Sequence, residues 1–217
     1  MKYVDLEAQW KRIFGLEWIS LQEGNKAIAA VIVSEKGEII SEGRNHVFSE
    51  TILNPNVAHA ETEAIQSLDI KKYPKVKEYT LYAALEPCPM CLGMIVMGKI
   101  RHVVIAARDT YGGAMNLISH SEFMKHKNIQ VTFLQNQLGQ VQRAMQTFRE
   151  ILFNEDPNRR EEALRSFSEL YKDGVDVAKS MVQEGYITID RLSDLKVEEV
   201  FDEIARRLDA MKASTSV

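Results

Sequence analysis

The chain has 217 residues, 45% of them hydrophobic and 27% charged, a balance that excludes disorder as its main character. Its formal net charge of −4 excludes a generally basic nucleic-acid-binding chain, although a local basic patch stays open. Only two cysteines are present, Cys88 and Cys91, which excludes a disulfide scaffold.

Residues 5–23 carry Leu6, Trp10, Ile13, Phe14, Trp18 and Leu21 at helical spacing, so an amphipathic helix ending near Gly24 is expected. Ala27–Ser34 and Ile39–Glu42 are short apolar runs around a Gly37 turn, the pattern of a β-hairpin. A loop at Asn54-Pro55-Asn56 leads to a helix over His59–Leu68, then a strand over Tyr79–Leu85. Pro89–Gly98 reads as a helix with proline in its first turn, where the missing N–H costs little. Strands are expected at Val103–Ala107 and Ile129–Leu134, and a helix at Val141–Phe153. Beyond it the pattern is helical: one helix from Asp156-Pro157 to about Lys172, ended by Asp173-Gly174, then Val175–Gln183 and Val197–Met211. Helices alternating with strands in this order predict an α/β fold, a mixed sheet covered by helices.

Charge divides the chain. Residues 1–154 hold 17 Lys+Arg against 16 Asp+Glu; residues 155–217 hold 10 against 15, so the negative charge sits in the tail. We therefore expect a domain over 1–154 and a helical C-terminal extension over 155–217. No apolar run approaches the ~20 residues of a membrane span, and the start Met1-Lys2-Tyr3-Val4-Asp5 has no signal-peptide pattern. A cytoplasmic location without a membrane partner is the expectation.

Cys88-Pro89-Met90-Cys91 by itself fits a redox pair, half of a zinc site or chance. Upstream lies His59-Ala60-Glu61, and either residue alone would be an ordinary helix-start residue. Together, H-x-E followed by Pro87-Cys88-Pro89-Met90-Cys91 forms the zinc deaminase signature. The chemistry suits it. His59, Cys88 and Cys91 supply imidazole and thiolates to Zn²⁺, one ligand short of a closed structural site. The fourth position is left to water, whose pKa a bound zinc lowers toward about 7, so that hydroxide is available as nucleophile. Glu61 can then sit beside that water without ligating the metal and act as proton shuttle.

At these residues the sequence resembles the cytidine/deoxycytidylate deaminase superfamily, and most of all the branch of tRNA adenosine, guanine and cytosine deaminases. The resemblance covers roughly residues 5–153 and includes Leu85–Cys91, the helix after it and Arg101–Asp109. It implies a three-layer α/β/α sandwich around a mixed five-stranded sheet, a zinc cofactor and a homodimer, with Met90, Met94 and Met97 on a helix that commonly meets its copy. It also implies substrate contacts: the Asn45 side chain, the Ala60 main-chain N–H and the Glu86 main-chain carbonyl. The sequence departs from the family at Ala27 and Ala29, where Pro and Gly are frequent, and in a longer segment from Asn45 to His59.

The expected activity is hydrolytic deamination of a base, nucleoside or similar small amino-heterocycle. A tRNA adenosine-to-inosine deaminase is the alternative; it would draw on phosphate contacts, and Lys71, Lys72, Lys75 and Lys77 form the one short basic cluster. The non-enzyme alternative is a zinc-stabilised protein-interaction scaffold, against which Glu61 stands, because a structural site has no use for it.

Overall fold

The computed structural model describes residues 1–215. The N-terminal helix α1 spans Ala8–Gln22, preceded by a single 3-10 turn at Tyr3–Asp5. Strands β1 (Ala29–Val33) and β2 (Ile39–Arg44) form the hairpin. Helix α2 (Ala60–Gln66), β3 (Thr80–Leu85), α3 (Pro89–Met97) and β4 (His102–Ala107) follow. A 3-10 segment (Met115–His120) and the short α4 (Glu122–Lys125) connect β4 to β5 (Gln130–Phe133). Helices α5 (Leu138–Phe153), α6 (Pro157–Gln183) and α7 (Val197–Thr215) complete the chain.

The five strands form one mixed sheet in the order β2-β1-β3-β4-β5. β1 runs antiparallel to β2 and β3, whereas β3, β4 and β5 are parallel. Side chains alternate across it, as the two-residue period of a strand requires. Val31, Ala84 and Ala106 face a core shared with α1, α5, α6 and α7. Ile32, Leu81, Val103 and Ile105 face a second core with α2 and α3. Strand β1 is buried on both faces, which is why its sequence is a continuous apolar run. The α/β/α layering and the five strands match the expectation.

Gly43 on β2 sets how close α2 lies. A Cβ there would stand 2.2 Å from the Ala60 main-chain oxygen, so only glycine admits the helix carrying residues 60–66.

The tail breaks close to where the sequence expectation put it, but at Tyr171 (φ −131°, ψ 40°) and not at Asp173-Gly174: two helical stretches meet there in a kink within α6. Gly174 is there for close approach, since its Cβ would lie 2.2 Å from the Gln140 main-chain oxygen. Tail and N-terminus also share a core. Phe201 of α7 meets Phe14 edge-on at 5.0 Å and Tyr3 at 5.6 Å. Trp18 Nε1–H donates to the Leu195 carbonyl (3.0 Å).

One buried polar pair lies in this core. Gln142 Nε2 donates to Glu17 Oε1 (3.4 Å), while Glu17 Oε2 and Gln142 Oε1 have no partner. Burial pushes the Glu17 carboxyl well above its usual range, and the protonated form could donate to Gln142. A raised carboxyl pKa stabilises the fold fully below the unfolded-state value and loses that contribution as pH rises toward the folded value. Wild-type stability should therefore fall with a slope of up to about 1.4 kcal/mol per pH unit above the ordinary glutamate range. Glu17→Gln should flatten that slope, giving a higher urea midpoint than wild type at pH 8 and a similar one at pH 4.

Candidate metal and catalytic site

The site is built where two helices begin. His59 is the residue before α2, and its extended backbone (φ −90°, ψ 155°) turns the chain into the helix. Thr62 Oγ1 locks that corner, accepting from His59 N–H (3.1 Å) and donating to the Val57 carbonyl (3.0 Å). Cys88 holds the same position before α3, and Pro89 occupies the first helical position, where it has no N–H to leave unpaired. Cys91 then falls in the first turn of α3.

These elements bring His59 Nδ1, Cys88 Sγ and Cys91 Sγ together, each 3.5 Å from the other two. Tetrahedral zinc with bonds of about 2.3 Å to sulfur and 2.0–2.1 Å to nitrogen requires ligand–ligand edges of about 3.5–3.8 Å. Donor types and spacing therefore fit zinc, and this trio is the group that could hold a metal among the described residues. The trio shares its protons unevenly. The Cys88 thiol is held down to about 4, first because Cys91 Sγ–H donates to it and then because His59 does. Cys91 is pushed up by donating to Cys88 and by burial. His59 is raised, chiefly through its hydrogen bond to Cys88.

Glu61 lies outside the trio. It is buried, with Oε2 3.3 Å from Cys91 Sγ, and burial raises its carboxyl above the usual range. Its carboxylate lines a cavity of about 590 Å³ together with His59 and Cys88. Asn45 borders the same cavity; its Oδ1 accepts from Val47 N–H (3.1 Å), which leaves its Nδ2 donors for another group. Ala60 is fully buried at the start of α2, where its N–H lies outside the helix's own hydrogen bonds. Glu86 borders the cavity too, and its carboxylate accepts from Asp109 N–H (3.2 Å) and Met115 N–H (3.3 Å). The glutamate thus ties down the segment after β4, a part that the sequence alone did not suggest.

Comparison with known proteins agrees with this geometry. The model of the cytidine and deoxycytidylate deaminase zinc-binding region matches residues 12–107. The tRNA-specific adenosine deaminase of Bacillus subtilis is 35% identical over 126 residues, covering 54% of this chain and 74% of that protein. The chain belongs to the cytidine and deoxycytidylate deaminase family. It is a zinc-dependent deaminase. Among solved structures, a tRNA:A34 deaminase is 25% identical and covers 58% of this chain and 96% of its own, with a TM-score of 0.48. Guanine deaminase from Bacillus subtilis is 35% identical and covers 49% of this chain and 66% of its own, with a TM-score of 0.41.

The family match ends at Ala107, before α5, α6 and α7. Yet α5 and α6 of the deaminase reach the cavity. Arg143, Gln146 and Arg149 of α5 line it, and so do Glu162, Ser166 and Phe167 of α6. Steps of three along α5, and of four from Glu162 to Ser166 and from the lining Ala163 to Phe167 along α6, put each set on one helix face. Nothing in their own sequence distinguishes that face from a solvated one. The lysine cluster is elsewhere: Lys75 pairs with Glu35 and Glu78, and Lys72 lies over the Tyr73 ring. Among the described residues no helix is long and apolar enough to cross a membrane.

Loss of a thiolate from a three-ligand zinc site should be severe. Cys88→Ser and Cys91→Ser should each drop bound zinc, measured by metal analysis of the purified chain, from near one equivalent to well below it. Asn45→Ala should leave zinc content unchanged.

Proposed function

We propose that this deaminase hydrolyses the exocyclic amine of a small amino-substituted heterocycle, a base, nucleoside or related compound, to the oxo product and ammonia. The observation that carries the reading is the wall opposite the His59–Cys88–Cys91 trio. Helix α6 puts Glu162, Ser166 and Phe167 into the cavity, and at about 590 Å³ the space suits one small molecule. A flipped base of a large RNA would have to bring its flanking backbone past that helix.

In this reading His59, Cys88 and Cys91 hold the zinc, which when bound supplies Lewis-acid activation of water. The Glu61 carboxylate takes the proton of the attacking water as the C–O bond forms. It hands that proton to the ring nitrogen and carries a second one, from the hydroxyl just added to the ring carbon, to the amine as the C–N bond breaks and ammonia leaves. The Asn45 Nδ2 donors and the Ala60 N–H orient the ring. The main-chain carbonyl of Glu86 faces the departing amine, and its carboxylate keeps the 109–115 segment in place. Residues 1–154 form the catalytic unit, and residues 155–217 form an extension that closes the site and sets its size.

A second reading, deamination of adenosine in tRNA, is favoured by the 35% identity to the tRNA-specific adenosine deaminase of Bacillus subtilis. The two are separated by a panel of aminated bases, nucleosides, pterins and tRNA, read by ammonia release. Turnover of small compounds with none on tRNA is expected; turnover of tRNA alone would overturn the first reading. With any substrate that is turned over, Glu61→Gln should lower kcat by about 10²–10⁴-fold while zinc stays bound. Undiminished ammonia release from that variant would refute the proton-shuttle role.

A further inference from the structure

Arg143 is the most unusual group in the cavity wall. It is 2% exposed, yet it is a cation on a helix whose opposite face enters the core. Its Nη2 donates to the Arg108 carbonyl (2.9 Å) and lies 3.3 Å from Asp109 Oδ1. Its Nε and Nη1 have no hydrogen-bond partner at all. One turn further along α5, the Nε2 of Gln146, 5% exposed, is also unpartnered. Buried donors are nearly always satisfied, so a set left open along one face of a cavity points to an acceptor that arrives from outside. Open N–H groups on a guanidinium, here Nε and Nη1, are suited above all to an anionic oxygen, through a charge-assisted hydrogen bond at each.

The covering of this group points the same way. The Phe167 ring lies over the guanidinium, with Arg143 Cζ 4.5 Å from its centroid. Phe167 belongs to the first half of α6, which has no buried residue before Gly174 and is kinked at Tyr171. Tyr171 itself is anchored, since its hydroxyl accepts from Arg108 N–H (2.7 Å). Access to Arg143 therefore needs a shift of the Phe167 ring or of the lightly held turns before Tyr171, and leaves the core as it is. The cavity continues from this wall to His59 and Glu61, so a molecule presenting its amine at the metal trio reaches the α5 wall with its other end.

We propose that Arg143, with Gln146 beside it, forms a recognition subsite for an anionic oxygen group, phosphate or carboxylate, carried by the amino-heterocycle substrate. This rests on the small-molecule reading above and narrows it to anionic heterocycles.

Two measurements test it, and the first does not involve turnover. The full zinc-loaded chain is titrated with inorganic phosphate and, separately, with acetate, following the Arg143 Nε–H signal by NMR. Saturable perturbation by one probe is expected and identifies the source of the anion. Arg143→Lys, which keeps the charge but loses the Nε–H and the second guanidinium donor, should bind that probe several-fold more weakly, and Arg143→Met should not bind it. No saturable effect of either probe on the wild-type chain overturns the subsite. In the second measurement, kcat/KM is compared for matched pairs: nucleosides against their 5′-monophosphates, and plain against carboxyl-substituted amino-heterocycles. The wild-type chain should prefer the anionic member by about tenfold or more, and Arg143→Met should bring the pair near parity. Equal kcat/KM for both members, or a preference that survives Arg143→Met, overturns the subsite while leaving the deaminase reading intact. If no small compound is turned over, the functional reading fails, and the NMR titration still decides the subsite.

Discussion

Three donor atoms 3.5 Å apart constrain much of this molecule. One comes from His59 and two come from residues 29 and 32 positions later, so the intervening chain must return to the same point. It does so by forming α2, crossing to β3 in the middle of the sheet, and starting α3 at the end of that strand. Close contact of α2 with the sheet is then required, and Gly43 permits it by having no Cβ to strike Ala60. Residues that look purely structural thus hold the separation on which metal affinity depends.

Around this constraint the protein has two kinds of wall. The wall made by Ile28, Asn45, the end of β3 and the starts of α2 and α3 falls within the span matched by the family. The opposite wall comes from α5 and the first half of α6, outside that span. Conversion of an amine needs the same metal ligands and proton carrier whatever ring bears it. Discrimination between rings depends on groups that meet the rest of the molecule. In the proposed function, the division between matched and unmatched wall would follow the division between chemistry and selectivity.

The second half of α6 and α7 have another part. Met181, Val200, Phe201 and Ile204 are buried in the core that holds α1 and α5. Burial of a side chain such as Phe201 is worth about 1.5–3 kcal/mol relative to exposure. The tail helices are thereby bound to the catalytic layer, and α5 is supported on the side away from the sheet. Support of this kind lets α5 present Arg143, Gln146 and Arg149 to the cavity from a fixed backbone.

Much of the fold was legible because strands buried on both faces leave uninterrupted Val, Ile and Ala runs, and because helix starts carry proline and polar signals. The trio and Glu61 were legible because tetrahedral zinc accepts few residue types, and the first turn of a helix sets their spacing. The exact place of the break at Tyr171 was not, since Gly174 looks like the helix stop in sequence and becomes a contact point only when the Gln140 oxygen is beside it. Nor was the α5–α6 wall. Helical periodicity shows that Arg143 and Gln146 share a face, but not what that face meets. Sequence by itself determined the candidate metal ligands, because coordination chemistry is local and spells its ligands in short motifs. Tertiary structure alone decided which distant side chains line the cavity, because that depends on how separate helices dock and not on any one segment's pattern.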